Sequence, residues 1–320
     1  MGKTKRLFKS FSRLLLPVVF VIVSAIMGSA VWLVHKTADV PKAAYLVTPE
    51  KYGQLSARAA QVTAETWSNK DGSNARGWVL RGAENAPAVI LLHRYGADRS
   101  HVLNLGVKLS EATNFTVLMP DQRGHGENPM ERHSTFGGCE AEDVAAAVEY
   151  LRGLKTQAQT PLVGKHIGVY GVELGAIAAI RAASNDPTIK TLVVDSVPFD
   201  SDHLLASALG KRFPFMSNVT SEIAKYGTYF YYFDGCYKRD PLCAAAKAAD
   251  NRQVLLLAGS DAPQFQESTQ KISNCFPNTT KTETKTDLSP SGYNVINASL
   301  EQVEVYDQRV IEFFRANLTN

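Results

Sequence analysis

Lys165–Ala183 reads KHIGVYGVELGAIAAIRAA. An apolar run carrying Ile167, Val169 and Tyr170 ends in Gly171-Val172-Glu173-Leu174-Gly175. An alanine-rich apolar segment, Ala176–Ala183, follows without a turn residue. This pattern predicts a strand, one sharp turn and a buried helix. Small residues at 171 and 175 suit a turn so tight that side chains there would collide. The residue between them, Glu173, is thrust out above the sheet.

Outward from this stretch, strands alternate with helices. Gln61–Trp67 and Ala75–Arg81, separated by the turn cluster Asn69–Asn74, read as an entry hairpin. Ala88–Leu92 (AVILL) and Phe115–Met119 (FTVLM) are continuous apolar runs, as expected of strands covered on both faces. Thr191–Val194 and Val254–Leu257 read the same way, and Lys281–Lys285 as a polar strand near the sheet edge. Helices are predicted over Ser100–Ala112, Glu140–Arg152, Gln264–Ser273 and Val303–Asn317. Phe199–Asn251 is longer than a simple crossover needs. Its aromatic stretch Tyr226–Tyr237 is expected to serve packing more than ligand contact.

Several of these segments, in this order, resemble the α/β-hydrolase fold in its esterase, lipase and serine-peptidase branch. Gly171–Gly175 matches the G-x-S-x-G nucleophile elbow, with Glu173 in the serine position. His93-Arg94-Tyr95-Gly96 resembles the family's His-Gly-x-Gly loop, which implies Tyr95 and Leu174 amides as the oxyanion hole and sets Arg94 where a glycine is usual. Asp121–Gly126 resembles its Asp-x-Arg-Gly-His-Gly turn, so His93 and His125 are expected to brace loops. Gly259-Ser260-Asp261-Ala262-Pro263 resembles its G-x-D-x-P turn and makes Asp261 the acid-position residue. The resemblance spans Gln61 to Leu318 and implies a mostly parallel sheet with helices on both faces and a small cap over about 199–251.

The resemblance also implies a catalytic histidine in the loop before the closing helix. The histidines are His35, His93, His101, His125, His133, His166 and His203, and none lies beyond. Tyr293, or Asn294 in a register one residue later, takes that place. Acyl transfer needs a nucleophile and a base that takes and returns its proton. With Glu173 and no base, a covalent adduct would hardly turn over. Glu173 stands at a helix amino terminus whose free N–H groups favour an anion, so its carboxylate can curl into the oxyanion hole. Glu173, His93 and Asp261 lack metal-ligand spacing, and no metal or cofactor is expected.

The 320 residues, 45% hydrophobic and 20% charged with net charge +3, suffice for one large α/β core. Basic residues are dense only at the amino terminus, so no nucleic acid is expected as a partner. Residues 1–13 form a basic tail, and Leu14–Val34 is free of charge. As a helix those 21 residues would measure about 31 Å, matching a hydrocarbon core of about 30 Å. The flank favours a cytoplasmic amino terminus, a single-pass anchor and an extracytoplasmic domain. The alternative is a secreted protein cleaved after a signal peptide, with Gly28-Ser29-Ala30 as the site. Residues 38–57 read as a linker and 58–320 as the hydrolase-like domain.

Cys139, Cys236, Cys243 and Cys275 are even in number, and in an oxidising compartment Cys236 and Cys243 are the expected pair. Together these features predict a membrane-anchored, catalytically impaired hydrolase-like module that binds or scaffolds, with a small apolar or acyl ligand under the cap; its protein partner stays unknown. The alternative is an active ester or peptide hydrolase with an atypical site, for which His93 and His125 are the first bases to test.

Overall fold

A computed structural model describes residues 2–42, 44–54, 56–127, 131–214 and 217–319, with residues 2–14 and 217 described by their backbone alone. Two compact units emerge from the contacts. The larger comprises Ala38–Leu204 and Cys236–Asn320, the smaller Met1–Thr37 and Leu205–Gly235.

The smaller unit is built on α1 (Gly2–Ala38), whose Leu15–Ala38 portion is long and apolar enough to cross a membrane, with mean hydropathy 2.3. Two further helices complete it: the end of α6 (Ser201–Arg212) and α7 (Ser217–Tyr231). Gly227 of α7 lies so close to α1 that a Cβ there would meet the Ala30 carbonyl oxygen at 2.4 Å. Tyr231 Oη lies 3.0 Å from His35 Nδ1 across the same seam.

The larger unit is one eight-stranded sheet. Its strands are β1 (Thr63–Ser68), β2 (Asn74–Leu80), β3 (Ala86–Leu92), β4 (Thr116–Pro120), β5 (Val163–Val172), β6 (Ile189–Asp195), β7 (Gln253–Leu257) and β8 (Lys281–Lys285). Their order is β1-β2-β4-β3-β5-β6-β7-β8. The β1/β2 and β2/β4 pairs are antiparallel and all others parallel. The five strands from β3 through β7 are buried on both faces, as their unbroken apolar runs require.

Helices cover both faces. One carries α3 (Leu103–Thr113) and α10 (Leu300–Leu318), packed on alternate residues such as Val89, Leu91, Val193 and Leu255. The other carries α4 (Cys139–Gly153), α5 (Leu174–Asn185), α8 (Leu242–Ala248) and α9 (Gln266–Ser273). A short helix, α2 (Pro49–Tyr52), lies in the segment read as a linker. That segment is packed on the domain: Tyr45 Oη donates to Asp121 at 2.9 Å and Tyr52 Oη to Asn104 at 2.7 Å. Its tyrosine rings give it apolar surface to bury, which a solvated linker lacks.

Residues 236–251, the last part of the segment read as cap, group with the sheet, and their helix α8 packs on α5. One expectation needs correction. The disulfide expected between Cys236 and Cys243 is absent. Cys139 bonds Cys236 and Cys243 bonds Cys275, with Cα separations of 5.0 and 5.3 Å. The reason is tertiary: Gly138, lacking a Cβ, lets the Cys236 carbonyl reach the start of α4, where any side chain would overlap it. The bridges close loops of 97 and 32 residues rather than a local turn, each worth about 3–5 kcal/mol by loop entropy.

Candidate functional site

The elbow joins β5 to α5 at the centre of the sheet. Glu173 has φ 51° and ψ −100°, a conformation that costs a non-glycine residue energy and is found where surrounding structure enforces it. Two glycines do the enforcing. A Cβ on Gly171 would lie 2.2 Å from the Gly175 carbonyl oxygen, and one on Gly175 would lie 2.7 Å from Leu92 Cβ. The turn therefore closes against itself and against the end of β3.

Glu173 is buried, and its Oε2 accepts from the Tyr95 backbone N–H at 3.1 Å. Tyr95 supplies one of the two amides expected to form the oxyanion hole. Leu174, the other, is the first residue of α5. The 93–96 loop that carries Tyr95 is held from below by two histidines. His93 Nδ1 donates to the Arg94 carbonyl at 2.9 Å, and its Nε2 accepts from the Gln122 N–H at 3.1 Å. His125 Nδ1 donates to the Arg123 carbonyl at 2.6 Å, and its Nε2 accepts from the Gly96 N–H at 3.1 Å. These bonds fix each ring in its neutral tautomer with both nitrogens engaged. Burial pushes both imidazoles below their usual range, His93 furthest. Both residues brace the loop.

Asp261, exposed at the end of β7, accepts from Ser291 N–H at 2.9 Å and from Ser291 Oγ at 3.0 Å. Asn294 Nδ2 donates to the Asp261 carbonyl at 3.0 Å. The structure thus brings the acid position and the histidine-position loop together. The Tyr293 ring lies 5.2 Å from that of Phe265, and the Arg94 guanidinium stacks over the Tyr293 ring, 5.0 Å from its centroid. Arg94 and Tyr293, which replace the family's usual residues at two separate loops, are therefore in contact with each other.

Sequence reasoning missed a second carboxylate. Asp195, at the end of β6, is wholly buried and accepts from Gly292 N–H at 2.8 Å, Tyr306 Oη at 2.9 Å and Ser196 Oγ at 2.7 Å. Burial lifts its carboxyl to about 6 in spite of these donors. Gly292 is needed here, since a Cβ would meet Tyr306 Oη at 2.4 Å. The only signal in the sequence is an acid ending an apolar strand, TLVVD.

His203, in the first turn of α6, was also passed over. Its ring lies 6.5 Å from Phe265, which in turn contacts Tyr293. Its Nδ1 accepts from the Phe199 N–H at 3.4 Å, which leaves the proton on Nε2, and burial lowers its basicity. Among the described residues no cluster of three or more His, Cys, Asp or Glu could hold a metal ion.

No family model matches the chain. Over 124 residues it is 28% identical to the thiohydrolase aneE of Aspergillus aculeatus, covering 38% of this chain and 37% of that protein. It is 26% identical over 133 residues to the polyketide transferase grgF of a Penicillium species, covering 41% and 43%. An uncharacterised 31.7 kDa protein of Escherichia coli matches at 24% over 149 residues, covering 46% and 50%. The chain thus aligns with half or less of the length of these relatives. Solved structures match more completely. A Pyrococcus furiosus esterase superposes with TM-score 0.61 at 20% identity, covering 88% of this chain and 98% of that one. The Penicillium α/β hydrolase GrgF superposes at 0.58 with 14% identity, covering 81% and 99%. A dienelactone hydrolase of Anabaena variabilis gives 0.54 at 15%, covering 81% and 99%. With the sheet order, the elbow and the acid turn already in place, these likenesses establish that the chain has the fold of the α/β-hydrolase superfamily.

Proposed function

We propose that this protein is a membrane-anchored α/β-hydrolase-fold module whose acyl-transfer centre is closed by its own Glu173, and that it acts by binding or scaffolding rather than by turnover. The observation that carries the reading is the bond from the Tyr95 amide to Glu173 Oε2. An acyl carbonyl needs that amide free, because the oxyanion hole works by donating to the oxygen where charge develops. A buried carboxylate already sitting there repels a second anion. The engaged nitrogens of His93 and His125 support the same reading, since neither ring has a lone pair to give to a nucleophile.

The names of the relatives, esterase and thiohydrolase among them, make an acyl ester or thioester the class of ligand to try first. Leu15–Ala38 would hold the domain to the bilayer, and the basic tail would keep the amino terminus in the cytoplasm. Two disulfides and no free cysteine among the described residues support an oxidising compartment for the domain.

The test is hydrolysis of short acyl esters and thioesters by the full chain in detergent, with Glu173→Ala beside it. Both proteins should run at background. Wild-type turnover that Glu173→Ala abolishes would make Glu173 catalytic and end the proposal.

A further inference from the structure

Helix α7 is built inside out for a helix facing water. Thr220, Ala224, Gly227 and Thr228 are buried, whereas Val219, Tyr226, Tyr229, Phe230 and Phe233 point outward. Tyr226 is 70% exposed and Phe233, just past the helix end, 89%. The outward residues recur three and four apart, so they form one stripe. The packing expected of this aromatic stretch therefore leaves four of its rings mostly exposed. Contiguous apolar surface of this kind marks an interaction site.

What the stripe meets is indicated by what its back face touches. Gly227 rides against Ala30 of α1, and Tyr231 reaches His35, so α7 is fastened to the last turns of the membrane-length segment. Trp32 of α1, half exposed, stands at the same level and packs on Phe213. Tyrosine, tryptophan and phenylalanine concentrated where a span leaves the hydrocarbon form the aromatic belt of membrane proteins. Tyrosine suits that layer because its ring is apolar and its hydroxyl stays wet. The one acid of the stripe, Glu222, is neutralised by Lys225 at 2.7 Å.

We propose that the outward aromatic face of α7 lies in the headgroup layer of the bilayer that α1 crosses, as a second membrane contact set beside the span. The proposal rests on the reading of α1 as a retained anchor.

The experiment places a nitroxide on the full chain at Tyr226→Cys and, separately, Phe230→Cys, in phosphatidylcholine liposomes. Ala158→Cys, exposed on the domain, is the aqueous reference. The four native cysteines are bridged and do not take the label. The two α7 labels should show an oxygen-to-nickel-chelate collision ratio about tenfold above the reference, since the polar chelate is excluded from an apolar layer. A ratio equal to the reference in protein whose intact mass includes α1 overturns the proposal. Intact mass lacking α1 overturns the anchor reading instead, and the inference with it. Dipolar broadening that vanishes on dilution with unlabelled protein would assign the face to a second copy and likewise overturn a lipid contact.

Discussion

The elbow at 171–175 and the loop at 289–294 depart from the hydrolase pattern in the same way and are held in opposite ways. Each differs from that pattern in one side chain, Glu173 in the first and Tyr293 in the second. The elbow is held by clearance, at Gly171 against its own turn and at Gly175 against the end of β3. The loop is held from a distance, by Asp261 through Ser291 and by Asp195 through Gly292. Both loops are therefore shaped by clearance and hydrogen bonding that do not involve a nucleophile. Chemistry can then be absent while the frame for it stays intact.

On the proposal of a closed centre, two side-chain changes together should give ester hydrolysis, with the largest effect expected of any variant. Glu173→Ser rebuilds the elbow motif and frees the Tyr95 amide, but its hydroxyl has no base. Tyr293→His supplies an imidazole to a loop already bonded to Asp261. Each single variant should hydrolyse short esters near background. The double variant should exceed both by about 10³-fold or more, because nucleophile and base act as a unit. Arg94 loses its ring partner in this variant and still donates to the Tyr95 carbonyl at 3.1 Å, so recovery stops short of a full hydrolase. A folded double variant without synergy would show that the loop does not present position 293 to the elbow.

The hold on the 289–294 loop from a distance depends on Asp195. Its carboxyl is lifted to about 6 from an ordinary 3.8, with Tyr170, Tyr306 and Asp261 as its titratable neighbours. A raised folded-state value means the native protein holds the proton more tightly than the unfolded chain. The associated stability is therefore fully present below pH 3.8 and lost as pH rises through 6. Between pH 7 and pH 4 that difference corresponds to about 2 kcal/mol. Chemical denaturation of wild type and Asp195→Asn across pH 4–7 should show the wild type gaining that much more on acidification. Parallel curves would remove Asp195 as a buried, titrating clamp.

Much of this was legible in the sequence wherever the cause was local. The elbow was read from two glycines four residues apart, and the strands from apolar runs such as AVILL and TLVV, because burial on both faces leaves a continuous signature. Asp261 was read from a turn motif. What was not legible was set by contacts between distant residues. Cys139 and Cys236 meet because Gly138 clears space for a chain 97 residues away, whereas adjacency along the sequence suggested Cys236 with Cys243. Asp195 looked like an ordinary strand end until Gly292 and Tyr306 arrived from elsewhere. The Arg94–Tyr293 contact joins two departures that the sequence showed only one at a time. The exposure of the α7 rings was not legible because aromatic content says nothing of which side of a helix it occupies when small residues take the packed side.

The proposed closure by Glu173 predicts the smallest effect. Glu173→Ala deletes a CH₂–COO⁻ fragment, which is the skeleton of acetate, and leaves the Tyr95 amide without its acceptor. An unpaired buried donor costs about 1–3 kcal/mol, so the variant should melt below wild type. Free acetate can then enter the vacated space and accept from the same amide, at a helix amino terminus that favours anions. At a concentration of several times its dissociation constant it should return about 1 kcal/mol, by the ordinary linkage of a ligand that binds only the folded state. Wild type, already filled, should not respond, and Glu173→Gln should not either, because its carboxamide oxygen can accept in place of the carboxylate. Chloride at equal ionic strength controls for screening. Thermal shifts by acetate of the same size in all three proteins would mean that the carboxylate does not occupy the site, and the elbow would then be changed in its chemistry without being closed.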